Sequence, residues 1–229
     1  MKYLFFCLPF LLPPFLFAQK AERACRLVVE PVLNGQMLAI DGAGLPPDSL
    51  VLHQLRFYLG HFTFYKNHTM VREEHAYHLL DLEDPATLHL DFQLPGNILF
   101  DSLAFNLGID SLTTASGAMG GDLDPTKGMF WTWQSGYVHF KMEGFSKKCP
   151  ARNGEFQFHL GGYLPPYATA RRVGLKLKTA GNGTQHLTLE LAPFFEQADW
   201  PNRHNVMSPG AEAVRLSRIL ATSFGIHAQ

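Results

Sequence analysis

The stretch "GMFWTWQSGYVHFKMEG", residues 128–144, puts two indoles two residues apart and sets a tyrosine and a histidine behind them. Trp131 and Trp133 are two of only three tryptophans in the chain. If residues 129–134 are extended, both indoles point to one face, and in a straight strand Tyr137 and His139 join them. A bulge at Gly136 would flip that register for His139. Two chemistries fit. Paired tryptophans are good material for a sheet core, and an aromatic wall beside an imidazole is also how a metal pocket is lined. "EFQFHLGGY" adds a second imidazole. Phe156, Phe158 and Leu160 share one face, so His159 stands on the other with Glu155 and Gln157. Gly161 and Gly162 let another backbone come close. In "NRHNVMSP", His204 and Met207 pair imidazole with thioether, a copper-leaning combination because soft sulfur selects Cu(I).

The remaining candidates are weaker. "TTASGAMGGDLDPTKG" carries Asp122 and Asp124, which could belong to a calcium loop. The spacing lacks the EF-hand pattern, however, and carboxylates bonded to their own turn explain it as well. His53, His61, His68, His75, His78 and His89 crowd one segment of a chain with eleven histidines, yet none has the helical spacing of a zinc protease. No nucleophile elbow, phosphate loop or nucleophile–base pair is visible, so the expectation is binding and not an enzyme.

The elements that must position these residues are strands. "RLVVEPVL", "SLVLHQLRFYLGHFTFYKN", "AYHLLDL", "ATLHLDFQLP", "SLAFNLGI", "GEFQFHLGGY", "RVGLKLKTAGNG" and "TQHLTLELAPF" are short apolar or alternating runs broken by turn residues. The spacing predicts an all-β, antiparallel β-sandwich. Asn182-Gly183 between alternating runs predicts a hairpin. One short C-terminal helix is expected in "MSPGAEAVRLSRILATSFGI", with Ser208 as cap, Pro209 in the first turn and Gly225 as stop. Its apolar positions are Val214, Leu216, Ile219, Leu220 and Phe224. A membrane-surface helix is the alternative for this segment.

Compartment follows from the N-terminus. "MKYLFFCLPFLLPPFLFAQK" has a basic start, an apolar run and Ala18 before a polar residue, the pattern of a cleaved signal peptide over residues 1–18. Pro9, Pro13 and Pro14 argue against a retained anchor, and no other stretch is long and apolar enough to span a bilayer. The mature protein is therefore expected to be periplasmic or secreted. Cys7 leaves with the signal. Cys25 and Cys149 then suggest one disulfide in an oxidising compartment, worth about 4–5 kcal/mol in the chain-entropy picture, with a thiolate metal site as the alternative. The formal net charge is −1 and basic residues do not cluster, which excludes nucleic acid as a partner. With 17% charged residues and 19 phenylalanines the chain is not a disordered one.

Three segments carry a family resemblance: "SGAMGGDLDPTKGMFWTWQSGYVHFKMEG", "FQFHLGG" and "HNVMSPGAEA", in that order, with "LRFYLGHFTF" and "HLLD" before them. Over about residues 25–229 the chain resembles the MbnP-like copper-binding protein family. The resemblance implies a β-rich periplasmic or surface protein engaged in copper acquisition. It implies copper held by histidines together with a tryptophan oxidised to kynurenine, and a di-haem peroxidase-like partner that performs the oxidation. Carried over, Trp131 or Trp133 is the residue modified. His159 is the first ligand candidate, His204 and Met207 the next, and His139 ranks below them. His61 stands where the family pattern has a small polar residue. An interaction or adhesion sandwich without a copper role, with or without calcium, is the alternative.

Overall fold

The computed structural model describes residues 22–41, 50–96, 99–134, 136–181, 183–199 and 202–228. The predicted signal segment, Asn182 and Trp200 lie outside them. Alternation of apolar and polar side chains, the period of a sheet with one buried face, decides most of the architecture. β1 (Glu22–Leu33) shows it directly: Cys25, Leu27 and Val29 are buried between more exposed neighbours.

Two sheets form. β1 pairs with β2 (Gln36–Met37), β5 (His89–Pro95) and β11 (Thr184–Glu190), and β11 pairs with β13 (Phe224–Ala228). The larger sheet holds β3 (Val51–Lys66), β4 (Thr69–Asp81), β6 (Phe100–Leu107) and β10 (Arg171–Gly181). It continues through β8 (Gly136–Phe145) and β9 (Glu155–Gly161) to β12 (Asn205–Val206), with the two-residue β7 (Phe130–Trp131) on β8. Between the sheets lies an aromatic core. Leu27, Phe92 and Leu187 from one side meet Phe62, Phe105, Phe140 and Phe158 from the other. Burying each such ring contributes about 2–3 kcal/mol. The architecture is thus the expected all-β sandwich.

Four details differ from expectation. The strands are not all antiparallel: β1 runs parallel to β11, and β9 to β12. The Asn182-Gly183 hairpin does not form, because β10 pairs with β6 in one sheet and β11 with β1 and β13 in the other. Each strand finds a better-buried partner than its sequence neighbour, and the chain crosses between sheets there. The C-terminal helix, α3 (Ala211–Thr222), follows two shorter ones, α1 (Ser111–Ala115) and α2 (Ala192–Gln197). Its N-cap is Gly210 and not Ser208, so Pro209 precedes the first turn. Val214, Leu216, Ile219 and Leu220 are buried as expected, but Phe224 and Gly225 belong to β13. Phe224 leaves the helix to stack edge-on against Phe105, ring centroids 5.1 Å apart.

The expected disulfide is also not formed. Cys25 and Cys149 are both buried free thiols. The Cys149 thiol donates to the Glu155 carbonyl, 3.0 Å away, inside the turn between β8 and β9. Cys25 sits in β1 opposite Phe92, and burial pushes its thiol up to about 11.

One topological feature positions the site. β4 occupies one edge of β3, and β8 and β6 share the other, β8 along residues 51–57 and β6 along 59–65. The larger sheet therefore forks at Tyr58, where the Tyr58 carbonyl accepts the Gly108 N–H at 2.8 Å.

Candidate metal site beside the fork

From the fork, residues 108–134 fold over the outer face of the larger sheet as a separate layer. Tyr58, Tyr77, Leu79, Ile109, Leu123, Met129, Trp131, Tyr137 and Val138 form a second apolar cluster there, separate from the sandwich core. Tyrosine hydroxyls hold the layer down. Tyr137 donates to the Leu123 carbonyl and accepts the Met119 N–H, each at 3.0 Å, and Tyr58 donates to the Asp122 carbonyl at 3.0 Å. The Asp122 carboxylate accepts from the Leu79 N–H at 3.2 Å and from Lys127 at 2.7 Å. Asp124 caps its own turn through Thr126. These two carboxylates fasten the layer to the sheet and shape its turns. Hydrogen bonds from Thr126 hold the Asp124 carboxyl below its ordinary range.

Trp131 ends in the layer and Trp133 outside it. The extended segment is only Phe130–Trp131, after which a turn closes with the Gln134 N–H on the Trp131 carbonyl at 3.3 Å. The two indoles therefore do not share one face of a strand as expected. They still touch, with centroids 5.5 Å apart, but Trp131 is 9% exposed and Trp133 is 65% exposed. The Trp131 indole packs against the backbone of Gly161: a Cβ there would stand 2.6 Å from Trp131 Cζ3 and 2.6 Å from the Tyr137 carbonyl. Only glycine fits: the Tyr137 carbonyl is the close backbone approach expected at Gly161, and the indole is a second one that was not foreseen.

His159 is two residues before Gly161 on β9 and so shares its outer face. Phe156, Phe158 and Leu160 enter the core, as the alternation predicts. The His159 side chain is nonetheless buried, 9% exposed, and its Nε2 lies 2.6 Å from Oε1 of Glu143. Lys141, directly across on β8, also approaches Glu143, at 3.6 Å. An ionised carboxylate can only accept, so Nε2 carries the proton and Nδ1 keeps its lone pair. Burial lowers the His159 pKa, against the opposing pull of Glu143. The ring is thereby neutral and fixed in one tautomer, the way a carboxylate orients a ligating histidine.

The other predicted ligands separate. Segment 205–209 runs along β9: Val206 pairs with Phe158, and a Cβ on Gly162 would stand 3.0 Å from Pro209. Met207, the residue after Val206 and 41% exposed, is therefore next to His159 in strand order. His204 is one residue before the paired stretch. Its carbonyl accepts the Gln157 N–H at 2.9 Å, and it lines a separate cavity of about 160 Å3 with Arg152, Glu155 and Gln157. His139 occupies the fork, at a register shift between Val138 and Phe140. It is buried, with Nδ1 2.9 Å from the Thr169 hydroxyl and Gly108 pressed against its ring. Its Nε2 has no partner among the described residues, and burial lowers its pKa to about 3. It is a packed neutral imidazole at the base of the layer, off the face that carries His159. His61 lies at a bulge in β3 with φ of 49°, its Nε2 3.5 Å from Asp110.

The structure thus packs Trp131 on the backbone of Gly161, on the face of β9 that carries His159, with Trp133 against Trp131 and Met207 next to His159 in strand order, and it leaves His204 and His139 apart. Sequence reasoning missed Glu143, whose place across from Gln157 depends on the register of β8 with β9.

The MbnP family model matches residues 22–208, and the chain belongs to that family. No curated protein matches it. Among solved structures it is similar to MbnP from Methylosinus trichosporium, with 15% identity and a TM-score of 0.56 over 83% of this chain and 82% of that one. That likeness confirms the fold. Among the described residues, no helix is long and apolar enough to cross a membrane.

Proposed function

We propose that the protein is a non-enzymatic, periplasmic or secreted copper-binding protein of copper acquisition or handling, exported by cleavage after residue 18. Family membership supplies the link to copper. The observation that supports a place for it in this chain is the His159 ring, its Nε2 tied to Glu143, on the face of β9 where the Trp131 indole packs two residues on against Gly161. Neutral imidazole and thioether suit Cu(I), so His159 would hold the ion, with Met207 as its neighbour in strand order. Kynurenine, formed from Trp131 or Trp133 by a di-haem peroxidase-like partner, would supply an aromatic amine donor to the same face. Trp133 is the more accessible of the two to such a partner.

Titration of Cu(I) against a tight colorimetric chelator tests this reading. One tight site is expected, lost in His159→Ala and retained in His204→Ala. Equal affinity in parent and His159→Ala would refute the assignment. A second reading has its own observation: Trp133, Leu164 and Tyr167 are exposed around the end of β9, as a partner-docking surface would require. An interaction module without copper would bind a partner through those residues and yield no copper to the assay.

A further inference from the structure

The outer face of the five-stranded sheet carries a second group of ligating side chains that the copper reading does not use. Glu30 on β1, His186 on β11 and His227 on β13 come from three adjacent strands. Backbone pairing sets their register, with His186 opposite Val28 on one side and opposite His227 on the other. Val29, Leu187 and Ile226 point into the core, so residues 30, 186 and 227 must point out. Each offers one ligating atom, and the three atoms lie within 4.8 Å of one another. Nδ1 of His186 is 2.5 Å from Glu30, and the His227 ring stacks on the His186 ring, centroids 5.4 Å apart and planes 20° apart. Nε2 of His186 is buried and has no hydrogen-bond partner among the described residues.

We propose that Glu30, His186 and His227 form a binding site for a borderline divalent cation, Zn(II) or Cu(II). Two imidazole nitrogens and one carboxylate oxygen are the donors such ions take. Calcium and magnesium ask for oxygen alone, and Cu(I) prefers sulfur. Three protein donors leave a coordination position open to water, and His227, exposed at its rim, keeps the site reachable. With Glu30 as acceptor, Nδ1 of His186 holds the proton in the metal-free protein, and metal binding at Nδ1 moves that proton to Nε2, so that Nδ1 and Glu30 turn from hydrogen-bond partners into co-ligands. The site is independent of the family's. It lies on the other sheet, and His227 falls beyond the residues that the family model matches.

Zn(II) titration of the purified protein against a chromophoric chelator tests this, with X-ray absorption at the zinc edge to read the donors. One zinc per chain is expected, held by nitrogen and oxygen donors including two imidazoles. Affinity should fall roughly tenfold or more in His227→Ala and in Glu30→Gln, and stay unchanged in His159→Ala. His227 is exposed, so its variant folds irrespective of the site. Parent-like zinc affinity in both His227→Ala and Glu30→Gln, loss in His159→Ala alone, or sulfur in the zinc shell would each overturn the proposal.

Discussion

The two outer faces of this sandwich are built in opposite ways. The larger sheet is roofed by residues 108–134, and two of its histidines are buried and held by one partner each, His159 by Glu143 and His139 by Thr169. Among the described residues the smaller sheet has no such layer over Glu30, His186 and His227, and its ligating groups meet through strand register. Orientation thus comes from a packed aromatic layer on one face and from backbone hydrogen bonding on the other. A site of the first kind fails when packing fails. One of the second kind tolerates side-chain change around it.

Truncating the roof gives the largest expected effect. Trp131→Ala removes a nearly buried indole and should cost about 3–5 kcal/mol in a denaturant melt. Thr188→Ala, beside the smaller-sheet group, should stay within about 0.5 kcal/mol. Equal losses would erase the distinction between the faces. The next effect is one of pH. His139 is depressed to about 3 in the folded protein, so the unfolded chain binds its proton first. Stability should be full above about pH 6.5 and fall by up to about 1.4 kcal/mol per unit as pH drops from there toward 3. His78 and His159, also lowered by burial, act in the same sense. In His139→Gln, melts at pH 7 and pH 5 should lie measurably closer together than in the parent; an unchanged gap would mean His139 is not buried neutral.

Gly161→Ala comes third. Its new Cβ meets both the indole and the Tyr137 carbonyl, and one of those is backbone, so a loss of about 1–3 kcal/mol is expected with a shift in Trp131 fluorescence. Smallest is Trp133→Ala, a change at an exposed ring, expected within about 0.5 kcal/mol of the parent while Trp131→Ala is not. That pair separates an indole that holds the layer from one that is free to be modified or to dock.

Much of the roofed face was legible in the sequence, because its residues are close together in the chain. The alternation in "EFQFHLGG" placed His159 opposite Phe158, and Gly161 announced a close approach. The unroofed face was not legible. Glu30, His186 and His227 are brought together by a parallel pairing of β1 with β11 and by a final strand that reads as the end of a helix. Neither has a local signature, since a parallel partner is chosen by burial over long sequence separation. The Asn182-Gly183 hairpin failed for the same reason: a good local turn lost to better cross-sheet burial. The single histidine of the fork, His139, could not be separated from a ligand by spacing, because the register shift beside it is set by strands far away in the chain.

The central claim is that His159 presents Nδ1 from a fixed, neutral ring. Long-range nitrogen–proton NMR of the imidazoles, before and after one equivalent of Cu(I), tests it most directly. The account predicts an Nε2–H tautomer for His159 at neutral pH and a copper-induced shift at its Nδ1, with His139 unmoved. A His159 ring protonated on Nδ1, or one that ignores Cu(I) while His204 responds, would contradict it.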